Sequence, residues 1–202
     1  MTKEVEIEFK NMLTKVEFDR LVDFFQVPPS AFITQHNHYF DTPSFALKEK
    51  GAALRIREKN GAFEWTLKQP HPNGLLETNE PLTKDAAEAM LTEGKFMAGE
   101  VAHELEKMNI SLSTIKYFGT LSTDRAELTY KNGLLVLDHS YYLSKEDFEI
   151  EYEVTDPVSG KQAFDKLLQQ LAIPTRPTKN KVRRFYEEKY RQLQADRTEE
   201  RK

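Results

Sequence analysis

The chain has 202 residues, of which 39% are hydrophobic and 31% charged, with a formal net charge of −4. That length supports one domain with a real core, while the slightly acidic balance provides no global basic field for nucleic acid or an anionic membrane surface. The absence of cysteine excludes disulfides, zinc–thiolate centres and thiol nucleophiles. Met1-Thr2-Lys3-Glu4 carries no signal-peptide apolar core and no apolar run reaches membrane-spanning length, so the expectation is a cytoplasmic protein with neither nucleic acid nor membrane as partner.

In chain order, a first strand ends near Lys10. Thr14 followed by Glu17 predicts a capping box, with Val16, Leu21, Val22, Phe24 and Phe25 as the apolar stripe of a helix closed by Pro28-Pro29. Gln35 to Asp41 reads as a strand stopped by Thr42-Pro43. A turn over Ser44 to Lys50 leads to a hairpin, Ala53 to Lys59 and Ala62 to Lys68, joined at Asn60-Gly61. A further strand is predicted at Leu75 to Glu80. Lys84 to Met108 has helical character broken at Gly94 and Gly99. Strands return at Ile115 to Leu121, Arg125 to Tyr130 and Leu134 to His139, the last two joined at Asn132-Gly133, and a final strand runs from Phe148 to Val154. Ser159 and Gln162 cap an amphipathic helix bearing Phe164, Leu167, Leu168 and Leu171. A basic stretch, Lys179 to Arg184, then leads to a charged tail. The domain is drawn at 1–190 and the tail at 191–202.

Three strands carry charge at every second position: Glu4-Val5-Glu6-Ile7-Glu8-Phe9-Lys10, Leu54-Arg55-Ile56-Arg57, and Phe148-Glu149-Ile150-Glu151-Tyr152-Glu153. Alternate side chains of a strand point to opposite faces, so each has one apolar and one charged face. Like charges at successive same-face positions repel. Segregated rows of carboxylates and of cations point to a site holding metal cations and a polyanion together. On pattern alone two readings stay open: the charged faces line the lumen of a curled sheet, or they face open solvent.

Glu6-Ile7-Glu8-Phe9-Lys10 resembles the Glu-x-Glu-x-Lys signature of the CYTH superfamily, the triphosphate tunnel metalloenzymes. The likeness continues in order through Tyr39-Phe40-Asp41-Thr42, Leu54-Arg55-Ile56-Arg57, Trp65-Thr66-Leu67-Lys68, Glu77, Arg125, Asp138, Glu149-Ile150-Glu151 and the late basic cluster. It covers roughly residues 3 to 190 and is nearest the small bacterial branch. One departure is Asn79, where the family often has a second acidic residue. The resemblance implies an α+β fold, an eight-stranded antiparallel β-barrel forming an open tunnel with helices packed outside, and it favours the lumen reading.

It also implies the chemistry. Glu6, Glu8, Asp138, Glu149 and Glu151 are the metal-ligand candidates. Oxygen-only ligation suits Mg2+ or Mn2+. Arg55 and Arg57 project to one side to grip phosphate oxygens, with Lys10 and Lys68 as compact point charges; Lys10, Arg57 and Lys68 are the catalytic candidates. Arg125, Glu77, Tyr39 and one of Lys179 and Lys181 complete the substrate set. Asp41 and Thr42 read as strand-end turn chemistry, and Trp65 as core on the outer face. His36 and His38 read as a polar strand face rather than a zinc site. No residue stands out as a general base. The expected activity is metal-dependent hydrolysis of a small-molecule triphosphate, inorganic triphosphate first. Adenylate cyclisation, thiamine triphosphate hydrolysis and non-catalytic nucleotide or polyphosphate binding are the alternatives. The oligomeric state is open, a homodimer being one option.

Overall fold

A computed structural model describes residues 2–199, and the last three residues of the predicted tail lie outside them. Among the described residues nine strands form one antiparallel sheet: β1 (Thr2–Glu6), β2 (Glu8–Leu13), β3 (Ile33–Asp41), β4 (Ala53–Lys59), β5 (Ala62–His71), β6 (Gly74–Leu82), β7 (Lys116–Tyr130), β8 (Gly133–Tyr142) and β9 (Lys145–Val154). Six α-helices accompany them: α1 (Lys15–Phe24), α2 (Ala46–Glu49), α3 (Lys84–Glu93), α4 (Glu100–Lys107), α5 (Pro157–Gln170) and α6 (Lys181–Glu199).

The strand order is β1-β6-β5-β4-β3-β7-β8-β9-β2. Its two ends are successive pieces of one N-terminal stretch, so the sheet curls round and is joined through that stretch. The count is nine rather than eight because the first strand divides at Ile7. Its first half pairs with β6 and its second with β9, and the Ile7 carbonyl accepts the Val154 N–H at 2.9 Å at the crossing point. Division has a cost in packing: Val5, on the apolar face of the first strand, is 40% exposed.

Two helical layers cover the outer faces. α1 and α5 bury Phe18, Leu21, Phe164, Leu167 and Leu168 against Leu137, Phe148, Ile150 and Tyr152. The Thr14–Glu17 capping box is present, yet Val16 and Phe24 of the predicted stripe are exposed and Phe18 and Leu21 take the core side. On the other side α2, α3 and α4 cover β3 to β5, with Trp65 fully buried and stacked on Phe96 at 5.9 Å. Gly94 closes α3 in the left-handed region at φ 66°. The N-cap of α5 is Asp156, not Ser159, because Pro157 fits the first helical position and leaves the preceding residue to cap.

The hairpin turns divide. Asn60 and Gly61 both have positive φ, as a two-residue primed turn requires. The second turn centres one residue early, with Lys131 at φ 50°, and a third places Leu143 and Ser144 at φ 47° and 65° where no Asn or Gly signals it. The two strands read at 115–121 and 125–130 are one strand, β7.

Candidate active site

Register assembles the charged residues. Arg55 and Arg57 project inward from β4, and Lys68 of β5 lies opposite Glu77 of β6, which in turn faces Glu4 of β1. Lys10 of β2 is paired with Glu151 of β9; Arg125, Asp138 and Glu149 form one row across β7, β8 and β9. The inner faces enclose a cavity of about 240 Å3, onto which Glu6, Glu8, Lys10, Arg55, Arg57, Lys68 and Glu77 all open. Tyr39, Arg125, Glu151 and Lys181 share its wall. Asp138 and Glu149 sit behind them, at 0% and 1% exposure.

The late basic cluster divides at the start of α6, with Lys179 before the helix and Lys181 its first residue. Lys181 turns inward, its Nζ 2.7–2.8 Å from Asp138, Glu149 and Glu151, whereas Lys179 is exposed and pairs with Glu187. Lys179 therefore leaves the candidate set. Arg184, three residues on from Lys181 and so on the same helix face, donates to Asp147 and Glu149. Sequence reasoning missed it, although the i, i+3 spacing was there to read. Glu4 and Glu153 also face the cavity and were not selected, though each extends an alternating row by one step. His36 and His38 lie away from the cavity; their Nδ1 atoms pair with Ser122 Oγ and Thr120 Oγ1 of β7 at 2.8 and 2.7 Å.

Asp138, Glu149 and Glu151 bring oxygens within 4.8 Å of one another, an all-oxygen donor set that fits a hard divalent cation. Here the cluster is balanced by Arg125, Lys181 and Arg184. Burial raises Glu149, whereas Glu151, equally buried, is held low by Lys181 and Arg125. The same division recurs at Lys68, which contacts both Glu6 and Glu77. Burial drives Glu6 up, while at Glu77 Lys68 and Arg55 overcome burial and hold the carboxyl low. Lys10 is raised, because Glu8 and Glu151 outweigh its burial.

The opposite wall differs. Among the described residues neither Arg55 nor Arg57 has a carboxylate in ion-pair contact, and Arg57 has only Asn37 Oδ1 at 3.4 Å from its Nε. Burial, with Arg55 and Arg125 adding repulsion, brings the Arg57 guanidinium down to about 10. Burying charge without a partner is costly, so this dication is disposed to take an anion. The cavity thus sets an acidic wall, whose carboxylate oxygens suit a cation, against a wall whose two guanidinium groups lack carboxylate partners.

This chain belongs to the CYTH domain family, whose model matches residues 4–186. It is 53% identical over 195 residues to the Bacillus subtilis (strain 168) protein called "Putative triphosphatase YjbK", covering 96% of this chain and 100% of that one. A crystal structure from Bacillus halodurans, described as "a putative adenylate cyclase", superposes with a TM-score of 0.90 at 47% identity over 92% of this chain and 100% of the other. A Hippeastrum structure titled "Putative adenylyl cyclase HpAC1" shares the fold, with a TM-score of 0.76, 22% identity and coverage of 90% and 95%.

Proposed function

We propose that the chain is a divalent-metal-dependent triphosphatase acting on small triphosphates, with inorganic triphosphate as substrate. The observation that carries this reading is the pair of half-buried arginines, Arg55 and Arg57, facing the cavity without a carboxylate in ion-pair contact, while among the described residues Lys10, Lys68, Arg125 and Lys181 each have one. The description of the B. subtilis relative as a triphosphatase supports it.

In this reading Arg55 and Arg57 hold the distal phosphoryl oxygens, with Lys10 and Lys68 on the oxygens nearer the acidic wall. Glu6, Glu8, Asp138, Glu149 and Glu151 would hold Mg2+ or Mn2+, which supplies charge neutralisation at the transferring phosphoryl group and orients the attacking water. Arg125 and Lys181 keep the carboxylates oriented and screen their mutual repulsion. In this reading the chain's contribution is positioning and electrostatics, with no residue assigned as general base.

Adenylate cyclisation, the activity named for the B. halodurans relative, needs a platform for the adenine. Among the described residues Tyr39 is the one aromatic side chain on the cavity wall, and it is 3% exposed and packed on Phe185 at 6.0 Å. That arrangement favours a substrate without a base. The test is phosphate release from triphosphate, ATP, GTP, thiamine triphosphate and pyrophosphate, each with Mg2+ and with Mn2+, with cyclic AMP assayed in the ATP reactions. Fastest turnover of triphosphate is expected. Cyclic AMP formed without free phosphate overturns the reading.

A further inference from the structure

α6 reaches the cavity from one end, and its seat is built into β3 and β7. The β3–β7 register shifts between Tyr39 and Phe40, so that Phe118 is the extra residue of a bulge beside Gly119. Gly119 has φ 150°, and a Cβ there would lie 2.6 Å from Phe185 Cζ. The bare backbone at that position admits the Phe185 ring, which is fully buried among Tyr39, Leu121 and Tyr142. The bulged Phe118 ring stands 4.4 Å from that of Tyr186. These contacts are apolar packing and include no hydrogen bond between the rings.

Asp41 supplies the directional contact on that side. Its carboxylate is 2% exposed and has no ion-pair partner among the described residues. It accepts the backbone N–H groups of Thr42, Leu47 and Lys48 at 2.7, 2.9 and 3.1 Å. Three main-chain donors, two of them in α2, immobilise it. The remaining partner comes from α6: Tyr186 Oη–H donates to Asp41 Oδ2 at 2.9 Å. Burial and the Asp41 charge keep that hydroxyl protonated, so the donor is present across the working pH range. Arg184 ties the helix to the acidic wall through Asp147 and Glu149; Tyr186 ties it to the opposite rim.

We propose that the Asp41–Tyr186 hydrogen bond is a positioning latch that fixes α6 on the tunnel mouth and thereby sets the Lys181 ammonium among Asp138, Glu149 and Glu151. Lys181 hangs on a flexible four-carbon stem, so the place of its ammonium follows the place of its helix. Tyr186 is thus a positioning residue acting through Lys181; its bearing on turnover rests on the triphosphatase reading, while its bearing on the helix does not.

Tyr186→Phe keeps the ring and removes the donor. Hydrogen exchange of the amides of residues 182–188 is expected to speed up about tenfold, with the strands unchanged. Triphosphate kcat is expected to fall about tenfold with KM within about twofold. In a Lys181→Met background the same change is expected to cost nothing further, since its effect is already spent. Additive losses in the double variant, or unchanged exchange in α6, overturn the latch. Should the wild type release phosphate from no triphosphate, the function reading fails and the exchange measurement alone decides the latch.

Discussion

Arg55 and Arg57 lie in the cavity wall with no carboxylate in ion-pair contact among the described residues, and at Arg57 the more distant Glu77 and Glu64 do not offset the cost of burial. A group whose ionised form is disfavoured by its surroundings destabilises the empty fold. Arg57→Met is therefore expected to leave the melting temperature unchanged or higher while lowering kcat/KM for triphosphate by about 10²–10³, the usual loss when a preorganised charge is removed. Calorimetry and kinetics on one preparation check both halves, and a marked drop in melting temperature would show that the guanidinium supports the fold instead. At this scale strand residues were legible because a period of two assigns each side chain to a face. Lys181 could not be separated from Lys179, and Arg184 was missed, because no strand rule applies there and the start of α6 fixes which basic residues turn inward.

Among the elements, α1 shows local and long-range signals meeting at one side chain. Glu17 closes the capping box on the Thr14 N–H at 2.8 Å, and also accepts both terminal nitrogens of Arg176 at 2.8 Å from the segment after α5. The Arg176 hydrogen bonds, with the Thr14 backbone, hold the Glu17 carboxyl below its ordinary range. A depressed folded value means stabilisation that is complete above the unfolded carboxylate range near 4.3 and is lost as pH falls through the folded value. Glu17→Gln is thus expected to cost about 2 kcal/mol at pH 7 and far less near pH 2, measured by urea unfolding at both. Equal costs at the two pH values would remove the ion pair from the account. The box was readable from Thr14 and Glu17 alone, but Arg176 was not, since nothing local marks a partner 159 residues away. The same limit explains the turns: Asn60-Gly61 announces itself, whereas Leu143 and Ser144 adopt positive φ because the β8–β9 register imposes it. It also explains the division of the first strand at Ile7, which depends on which neighbours the two halves find.

For the molecule as a whole, acidic and cationic walls partly compensate each other, and a metal ion with triphosphate would complete the balance by binding the folded state alone. At a hundredfold excess over Kd such binding adds about 2.7 kcal/mol. At about 2–4 °C per kcal/mol for a domain of this size, the melting temperature is expected to rise by roughly 5–11 °C, more with both components than with either. An unmoved melt at millimolar concentrations would sink the tunnel reading. The join at Ile7 carries a further consequence, for the order in which the chain acquires its structure. β2 finds its partner only when β9 exists, with Glu8 opposite Glu153 some 145 positions later. Pairings this distant are slow to form, because loop closure must precede the contacts that reward it. During synthesis β2 must therefore wait, unpaired, while nearly three quarters of the chain emerges, although β1 beside it can pair with β6 much earlier. A waiting apolar strand invites aggregation; one bearing Glu8 and Lys10 on one face, directly after Glu4 and Glu6 of β1, resists edge-to-edge pairing. The row of charges that later faces the cavity would first act as a guard on the nascent chain.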